Sequence, residues 1–197
     1  MKTILFSKRT ISVSLLVFFM ATCWVNAQTL TIKSHKVVIE GKTNVNHDFT
    51  TTATNVSGKM TVANNKPQSL TVEIPVKSII NGERLMDKKT HEAFNEPKNP
   101  SIIFVMTEVN SIQVTDNDIA VTVTGNLSMG GAKKPVTIKA NGKEVNPGTY
   151  TFTGAMPIKM SDFNMKAPTA MLGTMKTKDE VVVNYQVTFE GPAVKFN

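Results

Sequence analysis

Residues Ile119 to Met129 read IAVTVTGNLSM, and this stretch decides the fold. Apolar side chains or glycine recur at every second position, and small or polar side chains occupy the positions between them. Because successive side chains of a β-strand point to opposite faces, the pattern predicts a strand with one apolar and one polar face.

The same alternation recurs through most of the chain. Four more segments show it: Val56–Val62, Leu70–Val76, Tyr150–Ile158 and Val181–Phe189. A further segment, Ile102–Met106, also predicts a strand but is apolar on both faces. Consecutive strands of this kind predict an antiparallel meander of about eight or nine strands, which is enough to close a barrel. The expected fold class is therefore all-β.

Turn-forming residues separate the predicted strands. Gly, Asn, Asp and Pro favour tight turns. They cluster at Asn64–Pro67, Asp116–Asp118, Gly130–Gly131, Asn141–Gly142 and Asn146–Gly148.

One segment breaks the alternation and predicts a short helix. Glu83 to Phe94 is rich in helix formers, and Asn81 stands where a capping residue is expected. Its apolar face comprises Met86, Thr90, Ala93 and Phe94. We expect this helix to lie across a barrel mouth or side. The stretch from Ser161 to Lys178 predicts a long loop or a short helical turn.

The N-terminus has the three parts of a secretory signal peptide. A basic start precedes the apolar run Ile11–Met20, and Val25-Asn26-Ala27 forms a small-residue cleavage site. The run is too short for a membrane span of about 20 residues. We expect residues 1–27 to be the signal, 28–191 a barrel domain and 192–197 a C-terminal tail, in a periplasmic or secreted protein. A lipoprotein signal ending at Cys23 is the alternative.

The charge pattern does not favour nucleic acid as a partner. Of 22 basic residues three lie in the signal, which leaves 19 against 15 acidic residues and a net charge of about +4. Nucleic-acid-binding proteins concentrate basic residues on one face and interleave stacking aromatics. The lysines here are scattered through the sequence.

Motifs for catalysis or metal binding are lacking in the sequence. Without Cys23 the chain has no cysteine nucleophile, and His35, His47 and His91 are not at metal-ligand spacing. Asp87 and His91 are four residues apart on the predicted helix and are expected to touch as a surface pair. We predict that the protein is not an enzyme and needs neither metal nor cofactor.

Methionine is unusually frequent. Nine of the 11 methionines follow the signal, and five of them are close together: Met156, Met160, Met165, Met171 and Met175. Methionine is flexible and polarizable, so these residues suit either irregular core gaps or an adaptable lining for an apolar ligand. Copper binding is a third interpretation, which the lack of tight M-x-x-M spacing disfavours.

Motifs in register along the chain resemble the YceI-like polyisoprenoid-binding family. They are Gly41–Phe49, Ile74–Ile79, Gly82–Phe94 with Asn99–Phe104, Gly125–Val136 and Met160–Phe163. The first of these is similar to a form common in a Bacteroidetes branch of that family. Asn99 replaces a usual Tyr, Asn164 stands where many members have Gly, and Gly130–Lys133 lacks a usual Thr.

The resemblance implies an extended, lipocalin-like antiparallel barrel with an apolar tunnel. It also implies that the tunnel holds an isoprenoid lipid, such as a polyisoprenoid phosphate or a quinone, as carrier or store. Lys133 or Lys134 would then hold a phosphate head. The candidate ligand-lining residues are Met60, Ile102, Phe104, Met106, Val123, Leu127, Met129, Phe152, Met156 and Tyr185. The alternative is a structural or stress-related interaction module outside the cytoplasm, with a filled barrel and no ligand.

Intact-mass analysis of the exported protein tests the signal assignment. We expect a chain that begins at Gln28, because Val25 and Ala27 stand at the cleavage positions that signal peptidase reads. A diacylglycerol adduct on Cys23 would establish the lipoprotein alternative instead.

Overall fold

The structure is a computed structural model that describes residues 27–45, 48–170 and 173–197. The predicted signal up to residue 26, including Cys23, lies outside the described residues, as do His47 and Met171.

The described residues form eleven strands and one α-helix. Helix α1 (Arg84–Ala93) lies between β5 and β6, and 3₁₀ turns occur at Val76–Ser78 and Met160–Phe163. The strands are β1 (Gln28–Thr43), β2 (Asp48–Ala53), β3 (Ser57–Ala63), β4 (Lys66–Pro75), β5 (Ile79–Ile80), β6 (Ser101–Thr115), β7 (Asp118–Met129), β8 (Ala132–Asn146), β9 (Thr149–Lys159), β10 (Thr169–Ala170) and β11 (Met175–Glu190).

Eight strands close into an antiparallel barrel, which confirms the predicted fold class. The order around the barrel is β1, β3, β4, β6, β7, β8, β9 and β11, and pairing between β11 and β1 closes it. Strand β1 is long enough to pair with β3 at its start and with β2 further on, and β5 extends β2. Closure pairs the first and last strands of the barrel with each other, so neither is an edge strand of an open sheet.

The alternation in β7 places its apolar face inside the barrel. Ile119, Val123, Leu127 and Met129 are all buried, while Ala120 between them is exposed. One predicted turn is wrong: Asn141 and Gly142 lie within β8. Gly142 is needed there because the Phe152 ring occupies the space that a side chain would fill.

One end of the barrel, which we call the tail end, is closed by the residues after β11. Tyr150 is buried, and its hydroxyl donates to the Val194 carbonyl (2.6 Å) and accepts from the Val194 N–H (2.8 Å). Phe196 packs edge-on against the Tyr150 ring with centroids 5.3 Å apart. The Asn197 N–H donates to the Asn65 carbonyl in the β3–β4 turn, so the tail crosses this end of the barrel.

Helix α1 lies near the opposite end, which we call the cap end. It is shorter than predicted, and Glu83 rather than Asn81 occupies the N-cap position. The Asn81 side chain instead accepts a hydrogen bond from the Glu83 N–H (2.8 Å). The expected Asp87–His91 contact is also replaced: Asp87 accepts from the Asn81 N–H (2.7 Å), and the His91 Nε2 lies 2.9 Å from the Ile79 carbonyl.

The stretch after β9 contains a short helical turn, as expected, but β11 begins at Met175, three residues before the predicted loop ends. Asn164 ends the turn at φ +58°, in the left-handed region that Asn tolerates better than most residues. This explains how Asn replaces the usual Gly.

The inward register of β7 is tested by an aspartate on each of its faces. We expect Val123→Asp to lower the free energy of unfolding by several kcal/mol, because it buries an unpaired charge. Ala120→Asp on the exposed face of the same strand is the control and is expected to change that free energy by less than about 0.5 kcal/mol. Urea titration measures both, and equal effects would contradict the register.

Candidate ligand-binding cavity

The barrel encloses a cavity of about 260 Å³. It reaches from Phe196 at the tail end to Met165 and Pro168 at the cap end. Its wall is almost wholly apolar; the polar side chains on it belong to Thr51, Thr90, Thr177 and Tyr185. Small-molecule pockets commonly measure roughly 300–1,000 Å³, so the cavity lies just below that range.

All ten candidate lining residues from the sequence face this cavity. They are Met60, Ile102, Phe104, Met106, Val123, Leu127, Met129, Phe152, Met156 and Tyr185. Five strands contribute them, and their inward direction follows from alternation. Their contact with a ligand stays a prediction.

Four aromatic side chains of the wall lie over glycines of neighbouring strands. A Cβ atom at any of these glycines would overlap the ring. The pairs are Phe49 over Gly41, Phe104 over Gly125, Phe152 over Gly142, and Tyr185 over Gly154. Each ring occupies space beside a strand that a side chain would otherwise fill, so space along the barrel axis stays free.

Methionines contribute a large part of the wall. Those that face the cavity are Met60, Met106, Met129, Met156, Met160 and Met165. Three of them belong to the group of five noted in the sequence. Their flexible side chains let the wall adjust to the shape of a ligand.

Tyr185 carries the most polar group of the wall. Its hydroxyl donates to the Lys139 carbonyl at 2.8 Å. Burial raises the pKa of the Tyr185 phenol to about 12, so the group remains a protonated donor at neutral pH.

The 3₁₀ turn at the cap end is held by Asp179. The Ser161 N–H and hydroxyl both donate to this carboxylate, at 2.8 and 2.5 Å. These hydrogen bonds lower the pKa of Asp179. The turn places Met160 and Phe163 in the buried cluster at this end, together with Met165.

Strand β1 supplies lining residues that the sequence analysis missed. Val37 and Ile39 face the cavity, and Leu30 at the start of the strand is fully buried. A register shift between Ile32 and Ser34 interrupts the alternation, because an extra residue changes which side chains point inward. A break of phase flanked by two short alternating runs is the signal that would reveal this strand.

Lys133 and Lys134 differ in direction. Lys134 pairs with the buried Leu127 and therefore lies at a position of β8 whose side chain points to the inner face, which we call the inward parity. It is nevertheless exposed. Lys133 has the outward parity. Neither residue is part of the cavity wall.

The described residues offer little for catalysis or metal binding. In residues 27–45, 48–170 and 173–197 no three His, Cys, Asp or Glu side chains come together as metal ligands. The buried Nδ1 atom of His35 has no hydrogen-bond partner in the structure, but His35 is not part of the cavity wall. Within the same part of the chain, no helix has the length and apolar character to cross a membrane.

Comparison with known proteins gives matches over nearly the whole chain. Residues 27–189 match the family described as YceI-like domain. A UPF0312 protein of Pseudomonas aeruginosa is 37% identical over 89 residues, which make up 43% of this chain and 44% of that protein. The match therefore spans less than half of that relative.

Two solved structures share the fold. BcnA of Burkholderia cenocepacia has a TM-score of 0.64 and 24% identity, over 78% of this chain and 95% of that one. A polyisoprenoid binding domain from Saccharophagus degradans has a TM-score of 0.66 and 13% identity, over 84% of this chain and 99% of that one.

The aromatic–glycine contacts are tested by Gly142→Ala. The added methyl group displaces the Phe152 ring, so we expect the free energy of unfolding to fall by about 1–3 kcal/mol. The displaced ring narrows the cavity, so affinity for an apolar dye such as N-phenyl-1-naphthylamine falls as well. Urea unfolding and dye titration measure the two effects.

The double variant Gly142→Ala/Phe152→Leu is the matched control. Removing the ring frees the space for the methyl group, and we expect stability and dye binding to recover in part. If Gly142→Ala loses neither stability nor dye affinity, the Phe152 ring can move aside without cost, and the contact does not shape the cavity.

Proposed function

Because the chain belongs to the YceI-like domain family, we propose that it binds a long isoprenoid lipid inside the barrel, as an exported carrier or store. The observation that carries this proposal is the apolar cavity that runs along the barrel interior. The polyisoprenoid binding domain of Saccharophagus degradans, which shares the fold, supports the ligand class.

The chemistry of the wall favours a chain-like apolar ligand. Each buried CH₂ group contributes about 0.8 kcal/mol, so a prenyl chain offsets its ordering cost without many polar contacts. The cavity is small for a lipid of many isoprene units. Binding therefore requires the methionine-rich wall to move or part of the chain to remain outside the cavity.

The polar head of the ligand belongs at the cap end in this proposal. Lys134 is exposed there on the inward parity of β8, which suits contact with a phosphate at the rim of the barrel. Lys133, the other candidate, points to the outer face and is the less suitable of the two.

Export and the branch of the family also belong to the proposal. The three-part N-terminus supports a periplasmic or secreted location. The Gly41–Phe49 motif is the ground for a Bacteroidetes-type branch; the curated relatives found are Pseudomonas proteins and do not support it. We infer a binding role without catalysis. The alternative of a filled barrel is not favoured by the interior cavity.

Lipid extraction and native mass spectrometry of protein purified from its own host test the proposal. We expect wild type to carry an apolar lipid and Leu127→Trp to lose it, because the indole fills the cavity at a residue of the wall. Ala120→Trp, on the exposed face of the same strand, is expected to keep the lipid. A lipid-free wild type, or a folded Leu127→Trp protein with a full lipid load, contradicts the proposal.

A further inference from the structure

Strands β8 and β9 are neighbours in the barrel but pair along only half of their length. The ladder runs from the Asn141–Thr153 pair to the Asn146–Thr149 pair. Beyond it, no pairing in the described structure joins Ala132–Ala140 of β8 to Gly154–Lys159 of β9. Over these residues β8 remains paired with β7, and β9 with β11. We call the gap between the two unpaired halves the β8–β9 slot.

Side chains from both edges of the slot face the cavity. Ile138 and Ala140 on one edge, and Met156 and Ile158 on the other, all line the same cavity. Ile138 is only half-buried, whereas Val123, its partner on β7, is buried.

The edges of the slot have the sequence features of unpaired strands. Proline cannot donate to a ladder and is confined to strand edges. Pro135 lies in the unpaired half of β8, and Pro157 lies in that of β9. The exposure of Lys134 on the inward parity fits the same opening.

Tyr185 bridges the slot where the ladder ends. Its ring reaches from β11 over Gly154, and its hydroxyl donates to the Lys139 carbonyl on β8 (2.8 Å). Continuing the register would place Ala155 of β9 opposite Lys139. The phenol therefore supplies a donor to β8 where the β9 ladder stops.

The barrel has a second incompletely paired pair of strands, and the C-terminal tail packs near it. Pairing of β4 with β6 is also limited, to Thr71–Pro75 with Ser101–Val105. The halves of β4 and β6 that do not pair with each other lie at the tail end of the barrel. There the C-terminal tail is held by two hydrogen bonds of Tyr150, and Phe196 packs in the same cluster as Ile112 of β6. At the outer end of the β8–β9 slot the apolar side chains of the 3₁₀ turn and Met165 are buried, and Met165 lies against Gly130 of the β7–β8 turn.

Lysines surround the slot. They lie on β8, β9, β11 and the segment after the 3₁₀ turn, all are exposed, and none forms an ion pair with another described residue: Lys133, Lys134, Lys139, Lys159, Lys166 and Lys178. The nearby acids are Asp162, Asp179 and Glu180. Ser161 and, to a smaller extent, Lys159 lower the pKa of Asp179, and Lys159 is paired with Glu180 in the β9–β11 ladder, so six lysines stand against three acids. The surroundings are therefore positively charged, and basic groups beside an apolar opening attract an anionic lipid surface.

We propose that the β8–β9 slot is the face at which the barrel exchanges its lipid with an anionic bilayer. The hydrogen bond from Tyr185 to the Lys139 carbonyl, which we call the latch, holds the two edges of the slot together and must break for the lipid to pass. This inference rests on the proposed lipid-binding function. The lysines hold this face against the headgroups, and the lipid chain passes between Ile138 and Met156 without leaving apolar surroundings.

The latch is tested with a fluorescently labelled geranylgeraniol and the full chain. A latch controls passage in both directions, so Tyr185→Phe is expected to raise the association and dissociation rate constants together, about two- to tenfold. A latch effect alone raises both constants by the same factor and cancels in their ratio, the Kd, whereas a lining contact with the ligand changes that ratio. A dissociation rate constant that rises while the association rate constant stays unchanged, and with it a weaker Kd, would make Tyr185 a lining residue only and would overturn the latch.

Cross-linking tests the path itself. In a Cys23→Ser background, Lys139→Cys and Ala155→Cys are joined across the slot by a bifunctional maleimide. We expect both rate constants to fall at least tenfold. The control joins Lys143→Cys to Thr151→Cys, a pair within the ladder of the same two strands, and is expected to leave them unchanged.

Transfer from loaded protein to vesicles tests the partner. We expect transfer to phosphatidylcholine vesicles to accelerate when phosphatidylglycerol is added, and to slow again in high salt. The triple variant Lys133→Glu/Lys139→Glu/Lys159→Glu is expected to lose this acceleration, so that its transfer rate to the phosphatidylglycerol vesicles is about tenfold or more below that of wild type. Lys36→Glu/Lys59→Glu/Lys66→Glu changes the net charge equally, away from the slot, and is expected to keep it.

The outcomes separate the inference from the function on which it rests. A wild type that binds no prenol defeats the proposed function. Normal binding with exchange unaffected by the cross-link overturns the slot as the path, and equal transfer to both kinds of vesicle overturns the anionic bilayer as the partner.

Discussion

Contacts between an aromatic ring and a glycine of the neighbouring strand keep the interior of this barrel open. A small barrel of eight strands is just wide enough for its own side chains to fill it. Here four large rings lie where the wall has no side chain, so their volume is taken up beside the strands. The width of the cavity beside the four strands that carry these glycines depends on this arrangement.

The two ends of the barrel differ in how they are closed. At the tail end, Tyr150 binds both backbone groups of Val194, and the barrel and tail share one buried cluster. At the cap end, α1 contributes no fully buried residue, and the closure relies on the short turn held by Asp179. The tail end is thus closed by a direct continuation of β11, whereas the cap end is closed by separate segments, the short turn after β9 and α1.

The unequal pairing of β8 and β9 connects the fold to the proposed function. A complete ladder would close this part of the wall to the passage of a ligand. Because the ladder stops at Asn141 and Thr153, the Lys139 carbonyl needs another donor, and Tyr185 supplies it. The same side chain lines the cavity, so a single residue belongs to both the wall and the slot.

Alternation along β7, β9 and β11 was enough to predict an all-β barrel and its inward side chains, because burial on one face imposes a period of two wherever a strand is regular. Composition and turn residues predicted most of the hairpins for the same local reason. The bulge in β1, the glycine at position 142 inside a strand, and the partners of Asn81, Asp87 and His91 were decided by the tertiary structure. Each depends on a residue from another part of the chain. Gly142 leaves space for the Phe152 ring of β9, His91 contacts the Ile79 carbonyl, and the extra residue in β1 fits that strand to its pairing with β11. Whether the barrel is hollow belongs to the same class, because the inward side chains are a property of each strand, whereas the space between them depends on how all the strands pack together.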